Sequence, residues 1–180
     1  IPTWTSLSND TISLKEKITI LGFPGYDVLK EKGNSFNLLQ KIYNKNRDFH
    51  DFQLVYILPI GTEEQAKQLL TELDPLSDLY RWNFVFAPEN QIQEYYNKLG
   101  LVGKLNDKFA TTNVFIVDKD LNLRGRKGYN KKEDDNQYKE GYNTISAAEL
   151  HNEMNDDVKV ILAEYRLALK KNNRNIIVNE

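Results

Sequence analysis

Cysteine is absent from the 180-residue sequence, and histidine occurs only twice, at His50 and His151. Without cysteine the chain has no disulfide bond, no thiolate metal ligand and no thiol nucleophile, although this absence fits either redox compartment. The two histidines are far apart, and neither belongs to a pair with metal-ligand spacing. His50 precedes a predicted strand and His151 lies between two glutamates of a predicted helix, so we expect both at the surface.

Long apolar runs and a net positive charge are absent too. The 24 Lys and Arg residues nearly balance the 26 Asp and Glu residues, which gives a net charge of -2. Such a chain has no overall positive field, so we exclude nucleic acid as a partner. No apolar segment approaches the roughly 20 residues that cross a bilayer. The sequence begins with Ile1 and not with Met, which fits either a processed chain or a trimmed one whose signal or anchor segment has been removed.

Motifs for nucleotide binding, serine hydrolysis and calcium binding are missing or incomplete. The sequence has no glycine-rich dinucleotide or phosphate loop and no Gly-x-Ser-x-Gly. Segment 118–122 begins like a calcium loop, but Leu123 and Tyr129 replace the glycine and the glutamate that such a loop needs. We therefore predict a turn there, with no metal site and no cofactor.

Hydrophobic periodicity predicts a single α/β domain. A chain of this length buries roughly 70% of the surface that it exposes when unfolded, which is enough for one sizeable core. Apolar strands alternate with one-sided helices, which favours parallel pairing, and a late hairpin adds an antiparallel edge. Strands are predicted at 18–23, 52–58, 84–86, 114–117 and 123–126, and helices after 33–35, after 62, near 92–99 and over 146–171. We expect a mixed sheet with helices on both faces over 1–171, and a tail over 172–180.

Capping residues predict where three of the helices begin. Asn34 or Ser35 is predicted to cap the first helix. Capping boxes are predicted at Thr62 with Gln65 and at Ser146 with Glu149.

A polar insertion at 128–144 carries three tyrosines, Tyr129, Tyr138 and Tyr142. Aromatic side chains in a polar loop are favoured at interfaces, so these three form a candidate binding loop. A disordered loop is the alternative and the simpler interpretation.

Two segments resemble parts of a known family. Segment 18–25 is a buried strand that runs into Pro24 and Gly25, and segment 113–118 is a second apolar strand that ends at Asp118. With the order of the elements, these segments resemble the thioredoxin-like superfamily, in particular its Sco/SenC and peroxiredoxin-type branch, over roughly 4–169. The resemblance implies a three-layer α/β/α sandwich with a mixed central sheet and a long C-terminal helix. It also implies a bacterial, extracytoplasmic protein, periplasmic or membrane-anchored, although a cytoplasmic location remains an alternative.

The reactive groups of that family are missing. Sco-type proteins carry Phe-x-x-Cys-x-x-x-Cys after the first core strand, whereas here Tyr26 and Lys30 follow Phe23 at those positions. The resemblance places the copper-binding histidine of Sco proteins near Ala110 or Thr111. Thiol-disulfide exchange, peroxide reduction and thiolate-based copper transfer are therefore excluded.

The cis-proline of thioredoxin and related reductases is replaced as well. Thr111 and Thr112 occupy its place before the later strand. Our first hypothesis is therefore a redox-inactive domain that binds protein or peptide at the altered site. The candidate binding residues are Pro24, Gly25, Tyr26, Asp27, Lys30, Thr111 and Thr112.

Two other functions stay open. One is a cysteine-independent enzyme that uses Tyr26, Asp27, Lys30 or Glu31 as acid or base, because these residues follow a strand where α/β proteins often place sites. The other, implied by the resemblance, is an accessory factor in respiratory or metal-protein assembly without a copper site of its own.

Overall fold

The computed structural model describes residues 4–129 and 138–178, with side chains at 4–128 and 138–168. Its centre is a six-stranded sheet of β1 (Ile18–Pro24), β2 (Phe52–Pro59), β3 (Trp82–Ala87), β4 (Ala110–Val117), β5 (Leu123–Arg124) and β8 (Tyr142–Asn143). The strand order is β3-β2-β1-β4-β5, and β8 also pairs with β4. Strands β1, β2 and β3 are parallel, whereas β4 is antiparallel to β1. The predicted mixed sheet is confirmed.

Helices cover both faces of this sheet. Helix α1 (Lys32–Leu38) continues through a π-helical turn (Leu39–Tyr43) into α2 (Asn44–Asn46). The other helices are α3 (Glu63–Leu73), α4 (Glu89–Lys98), α5 (Ala147–Glu149), a π-helical turn (Leu150–Met154) and α6 (Asn155–Val178). The last helix continues past Lys171, where we predicted its end. None of the described helices is long and apolar enough to cross a membrane.

Alternate residues of the central strands belong to two separate hydrophobic clusters, one on each face of the sheet. Ile20 and Leu54 pack with α1, α3 and α6 on one face, whereas Leu21 and Val55 pack with α4 on the other. Because successive strand residues point to opposite faces, a strand covered on both sides reads as one continuous apolar run. Every residue of β2 is buried, which is why this strand was predictable from its sequence.

The helix caps differ in part from the prediction. Helix α1 begins at Lys32 with Glu31 at its N-cap, so Asn34 and Ser35 lie inside the helix and cap nothing. Ser35 is buried, and its hydroxyl lies 3.1 Å from that of Tyr56. Ser35 therefore packs against β2 in the core and does not cap the helix, so the predicted cap is wrong.

The predicted capping box at Thr62 and Gln65 is wrong, and the one at Ser146 and Glu149 forms only in part. The Thr62 hydroxyl donates to the carbonyl oxygen of Pro59 at 2.8 Å and makes no cap hydrogen bond to α3. Ser146 does cap α5, since its hydroxyl accepts from the backbone N–H of Glu149 at 3.2 Å. The Glu149 carboxylate accepts from the backbone N–H of Asn143 and does not reach back to the cap.

The polar insertion contains short strands. β6 (Gly128–Tyr129) and β7 (Tyr138–Lys139) pair as an antiparallel hairpin, and β8 then joins the main sheet beside β4. Residues 130–137 lie outside the described residues. The insertion is thus attached to the sheet at β8.

Candidate binding cleft

The turn after β1 is held against the segment that precedes β4. Gly25 has a φ of +66°, and a Cβ atom there would overlap the carbonyl oxygen of Lys108 and lie 2.8 Å from the Cβ of Ala110. The next backbone N–H, that of Tyr26, donates to the same carbonyl at 3.0 Å. Only glycine can combine a left-handed backbone with such a close approach to another backbone segment.

A cavity of about 240 Å³ opens beside this contact. Its walls are the end of β1, the turn at 25–27, the start of α1 and the segment 106–112. Four of the seven predicted binding residues line it: Pro24, Asp27, Thr111 and Thr112. Gly25 supports the wall, whereas Tyr26 and Lys30 are not part of the lining.

Tyr26 contacts helix α4 instead of the cavity. Its hydroxyl donates to the Glu89 carboxylate at 2.6 Å, and its ring meets Phe109 edge to face with centroids 6.3 Å apart. The hydrogen bond to Glu89 raises the pKa of the Tyr26 hydroxyl. Tyr26 therefore anchors the turn and is poorly suited to act as a base.

The two threonines line the opposite wall, and Thr112 is already engaged through its backbone. Its carbonyl oxygen accepts from the backbone N–H of Thr144 at 2.9 Å and from the Thr144 hydroxyl at 2.7 Å. The Thr111 hydroxyl accepts from the backbone N–H of Asn113 at 3.2 Å. An extended ligand cannot use the Thr112 carbonyl without displacing Thr144.

A buried tyrosine lines the cavity next to β1. The Tyr56 ring packs over Gly22, where an added Cβ would lie 2.6 Å from the ring carbon Cε1. Its hydroxyl is paired with that of Ser35, and burial raises the pKa of Tyr56 to about 12. The sequence signal was a glycine inside a strongly apolar strand, which marks close approach of another group. Our site prediction included neither Tyr56 nor Ser35.

Opposite charges line the cavity on different elements. Asp27 and Glu31 lie one helical turn apart before α1, and Lys108 comes from the segment before β4. Within the described part of the chain, these three side chains make no hydrogen bond or ion pair. Lys108 was not predicted, because its place depends on the contact of its own carbonyl with Gly25.

No family model matches the sequence, and no curated protein matches it either. Solved structures do match. BsSco, a member of the Sco family of cytochrome c oxidase assembly proteins, is 15% identical with a TM-score of 0.55, over 88% of this chain and 87% of that one. A putative electron transport protein from Aquifex aeolicus VF5 is 16% identical with a TM-score of 0.52, over 83% of this chain and 92% of that one.

A third similar structure is the thioredoxin domain of a thiol-disulfide oxidoreductase from Bacteroides vulgatus. It is 20% identical with a TM-score of 0.49, over 67% of this chain and 79% of that one. The chain has a thioredoxin-like fold. At this level of identity the likeness concerns the fold alone.

The insertion of this thioredoxin-like chain does not present its three tyrosines together. Tyr142 is only 1% exposed, its hydroxyl donates to the Asp157 carboxylate, and the backbone N–H of Arg126 donates to it at 3.1 Å. Burial raises the pKa of Tyr142. Tyr142 is thus a core residue, and its assignment to an exposed binding loop is wrong. Tyr138 is 38% exposed, and the side chain of Tyr129 lies outside the described residues.

The segment that begins like a calcium loop forms the predicted turn. One oxygen of the Asp118 carboxylate accepts from the backbone N–H groups of Asp120 and Asn122, at 3.0 and 2.9 Å. Its other oxygen lies 3.3 Å from the Arg124 guanidinium. The carboxylate closes a hairpin and is fully engaged in doing so.

Both histidines lie at the surface, as predicted. His50 contacts its neighbour Asp51 at 2.8 Å, and His151 lies 3.2 Å from the Lys45 ammonium. Neither residue lines the cleft.

Proposed function

We propose that this chain is a redox-inactive thioredoxin-like domain that binds protein or peptide at the cleft after β1. The observation that carries the proposal is a cavity of about 240 Å³ at the altered site, lined by charged side chains that have no partner in the described chain. A concave site with a few available polar groups is the usual form of a binding site. The absence of cysteine leaves this site without a thiolate.

The contacts of Thr112 bear on how a peptide is recognised. Because Thr144 occupies the Thr112 carbonyl, a ligand cannot extend the sheet at that point. Recognition therefore relies on side chains, with Asp27 and Glu31 available to a basic group and Lys108 to an acidic one. Such a site favours a charged peptide segment over an apolar one.

A pull-down from native extract with matched variants tests this proposal. The immobilised wild-type chain should retain a partner, and the double variant Asp27→Asn with Glu31→Gln should lose it. The control is Asp48→Asn with Glu64→Gln, two carboxylates whose side chains are 89% and 86% exposed and lie away from the cleft. The proposal fails if no partner is retained, or if both double variants retain it as the wild type does.

A second proposal is an accessory role in respiratory or metal-protein assembly, in an extracytoplasmic compartment. It is supported by the likeness to BsSco, whose family assembles cytochrome c oxidase. The chain would act without copper, since it has no cysteine. Stoichiometric copper binding by the purified chain would contradict this proposal, and fractionation of the source cells would test the compartment.

The enzymatic alternative has weaker support. Of its four acid or base candidates, only Asp27 and Glu31 line the cavity. The Tyr26 hydroxyl is bound to Glu89, and Lys30 is exposed outside the lining. The geometry therefore favours binding over acid-base chemistry.

A further inference from the structure

The groove between the α2 region and α6 forms another cavity, of about 280 Å³. Its charged lining residues are all basic: Lys45, Lys159 and Arg166. No Asp or Glu is found among the described lining residues, although acidic residues outnumber basic ones in the whole sequence. A concave surface of one sign attracts ligands of the opposite sign.

Two of the three cations have no carboxylate partner in the described part of the chain. The Arg166 guanidinium lies 4.3 Å from the centre of the Phe49 ring. Among the described side chains, the Lys45 ammonium contacts only the Nδ1 atom of His151, at 3.2 Å. Both cations are therefore available to an anion, and stacking on Phe49 orients the planar donor group of Arg166 in advance.

The third cation is only weakly paired. The Lys159 ammonium lies 3.4 Å from the Asp156 carboxylate, and the two side chains are 62% and 58% exposed. Such an exposed ion pair contributes little to stability, so the Lys159 side chain can turn towards an anion in the groove.

A buried polar group also lines this cavity. Asn155 is 3% exposed, and its Oδ1 atom has no hydrogen-bond partner among the described residues. An acceptor that is buried without a partner is unfavourable. This oxygen is almost completely enclosed by protein atoms, so the attraction of the groove for an anion comes from Lys45, Lys159 and Arg166.

We propose that this groove binds a phosphate group, either as a free phosphate or on a lipid headgroup. Arg166 would donate two parallel hydrogen bonds to the phosphate, which its planar guanidinium suits. Lys45 and Lys159 would add positive charge on either side of it. This site is separate from the cleft after β1 and does not depend on the function proposed for that cleft.

Titration of the intact protein with inorganic phosphate, followed by calorimetry or amide NMR shifts, tests the site. The wild type should bind phosphate saturably, with shifts around Lys45 and Arg166. Arg166→Gln should weaken binding roughly tenfold or more, and Arg166→Lys should weaken it less because the charge remains. The control is Lys67→Gln, an exposed lysine on α3, which should bind as the wild type does. Circular dichroism of each variant verifies that it is folded.

Vesicle sedimentation distinguishes the two sources of phosphate. Retention on phosphatidylcholine vesicles that contain phosphatidic acid, lost in Arg166→Gln and absent on pure phosphatidylcholine, assigns a lipid headgroup. Binding of inorganic phosphate without such retention assigns a soluble ligand. The proposal is overturned if neither probe binds, or if Arg166→Gln and Lys67→Gln have the same effect.

Discussion

Gly25 approaches the backbone carbonyl of Lys108 so closely that a Cβ atom at position 25 would overlap the carbonyl oxygen. This contact joins the turn after β1 to the segment before β4, and so it shapes two walls of the cleft. The backbone of Gly25 is also left-handed, with a φ of +66°. Glycine at this position therefore fixes the geometry of the site without contributing a side chain to it.

Replacement of Gly25 by alanine should destabilise the chain by about 2 to 4 kcal/mol. The left-handed backbone accounts for roughly 1 to 2 kcal/mol of this, and the overlap with Lys108 for the rest. Gly100→Ala is the matched control, since its φ is +65° and nothing lies within 4 Å of an added Cβ. Urea unfolding should show a clearly larger loss of unfolding free energy for Gly25→Ala. Equal losses would mean that the backbone shifts to relieve the overlap without a loss of stability.

The central strands were predictable because of how they are covered. β1 and β2 are buried on both faces, so each reads as a short apolar run that ends at a proline. The cleft was predictable only in part. Asp27 and Thr112 follow from the position of the strands, whereas Lys108 enters through a contact with Gly25 that is distant in sequence. Local patterns do not report such contacts.

The wrong prediction for Tyr142 also arises from contacts that are distant in sequence. Its neighbours in sequence are polar, which predicts an exposed loop, but pairing of β8 with β4 carries the ring into the core. Its hydroxyl is then satisfied by Asp157 and by the backbone of Arg126. The groups that bury the Tyr142 ring and bond its hydroxyl therefore come from other elements of the structure.

Tyr142→Phe should lower the free energy of unfolding by about 1 to 3 kcal/mol. The ring remains packed, but the partly buried Asp157 carboxylate and the Arg126 N–H each lose a hydrogen-bond partner. Tyr80→Phe is the control, because that residue is 56% exposed and its hydroxyl bonds the Arg47 carbonyl at the surface. Chemical denaturation should separate the two variants. A loss no larger than that of Tyr80→Phe would show that the hydroxyl of Tyr142 is dispensable.

Stability should fall as the pH rises from about 10 to 12. Burial raises the pKa of Tyr43, Tyr56 and Tyr96 to about 12, whereas an unfolded tyrosine ionises near 10. In this range the unfolded chain has lost protons that the folded chain still holds, so rising pH favours unfolding. The stabilisation is complete below pH 10 and decreases by up to about 1.4 kcal/mol per pH unit for each tyrosine.

Urea unfolding at several alkaline pH values, with tyrosinate absorbance as a second signal, measures this effect. Tyr56→Phe should show a shallower decline with pH, because one of the shifted groups is gone. The same decline in the wild type and in Tyr56→Phe would indicate that other groups cause it.

Glu140→Ala should release the loop that follows α4. The Glu140 carboxylate accepts from the backbone N–H groups of Val102 and Gly103, at 2.7 and 2.6 Å, and so ties the insertion to this loop. Its removal leaves both N–H groups open to water, since Val102 and Gly103 are exposed. Hydrogen exchange at these two amides should accelerate at least roughly tenfold, which corresponds to the loss of about 1.4 kcal/mol of local protection.

The matched control for this loop is Glu94→Ala. Its carboxylate pairs with Lys98 along the exposed side of α4 and bonds no backbone N–H of the loop. Exchange at Val102 and Gly103 should then match the wild type. Glu140→Gln keeps one acceptor oxygen, so its exchange rates should fall between those of the wild type and those of Glu140→Ala.

Glu140→Ala could instead leave both amides as protected as before. The loop would then be held by its other contacts, such as the hydrogen bonds of Asn106 to the backbone N–H groups of Lys108 and Ala110.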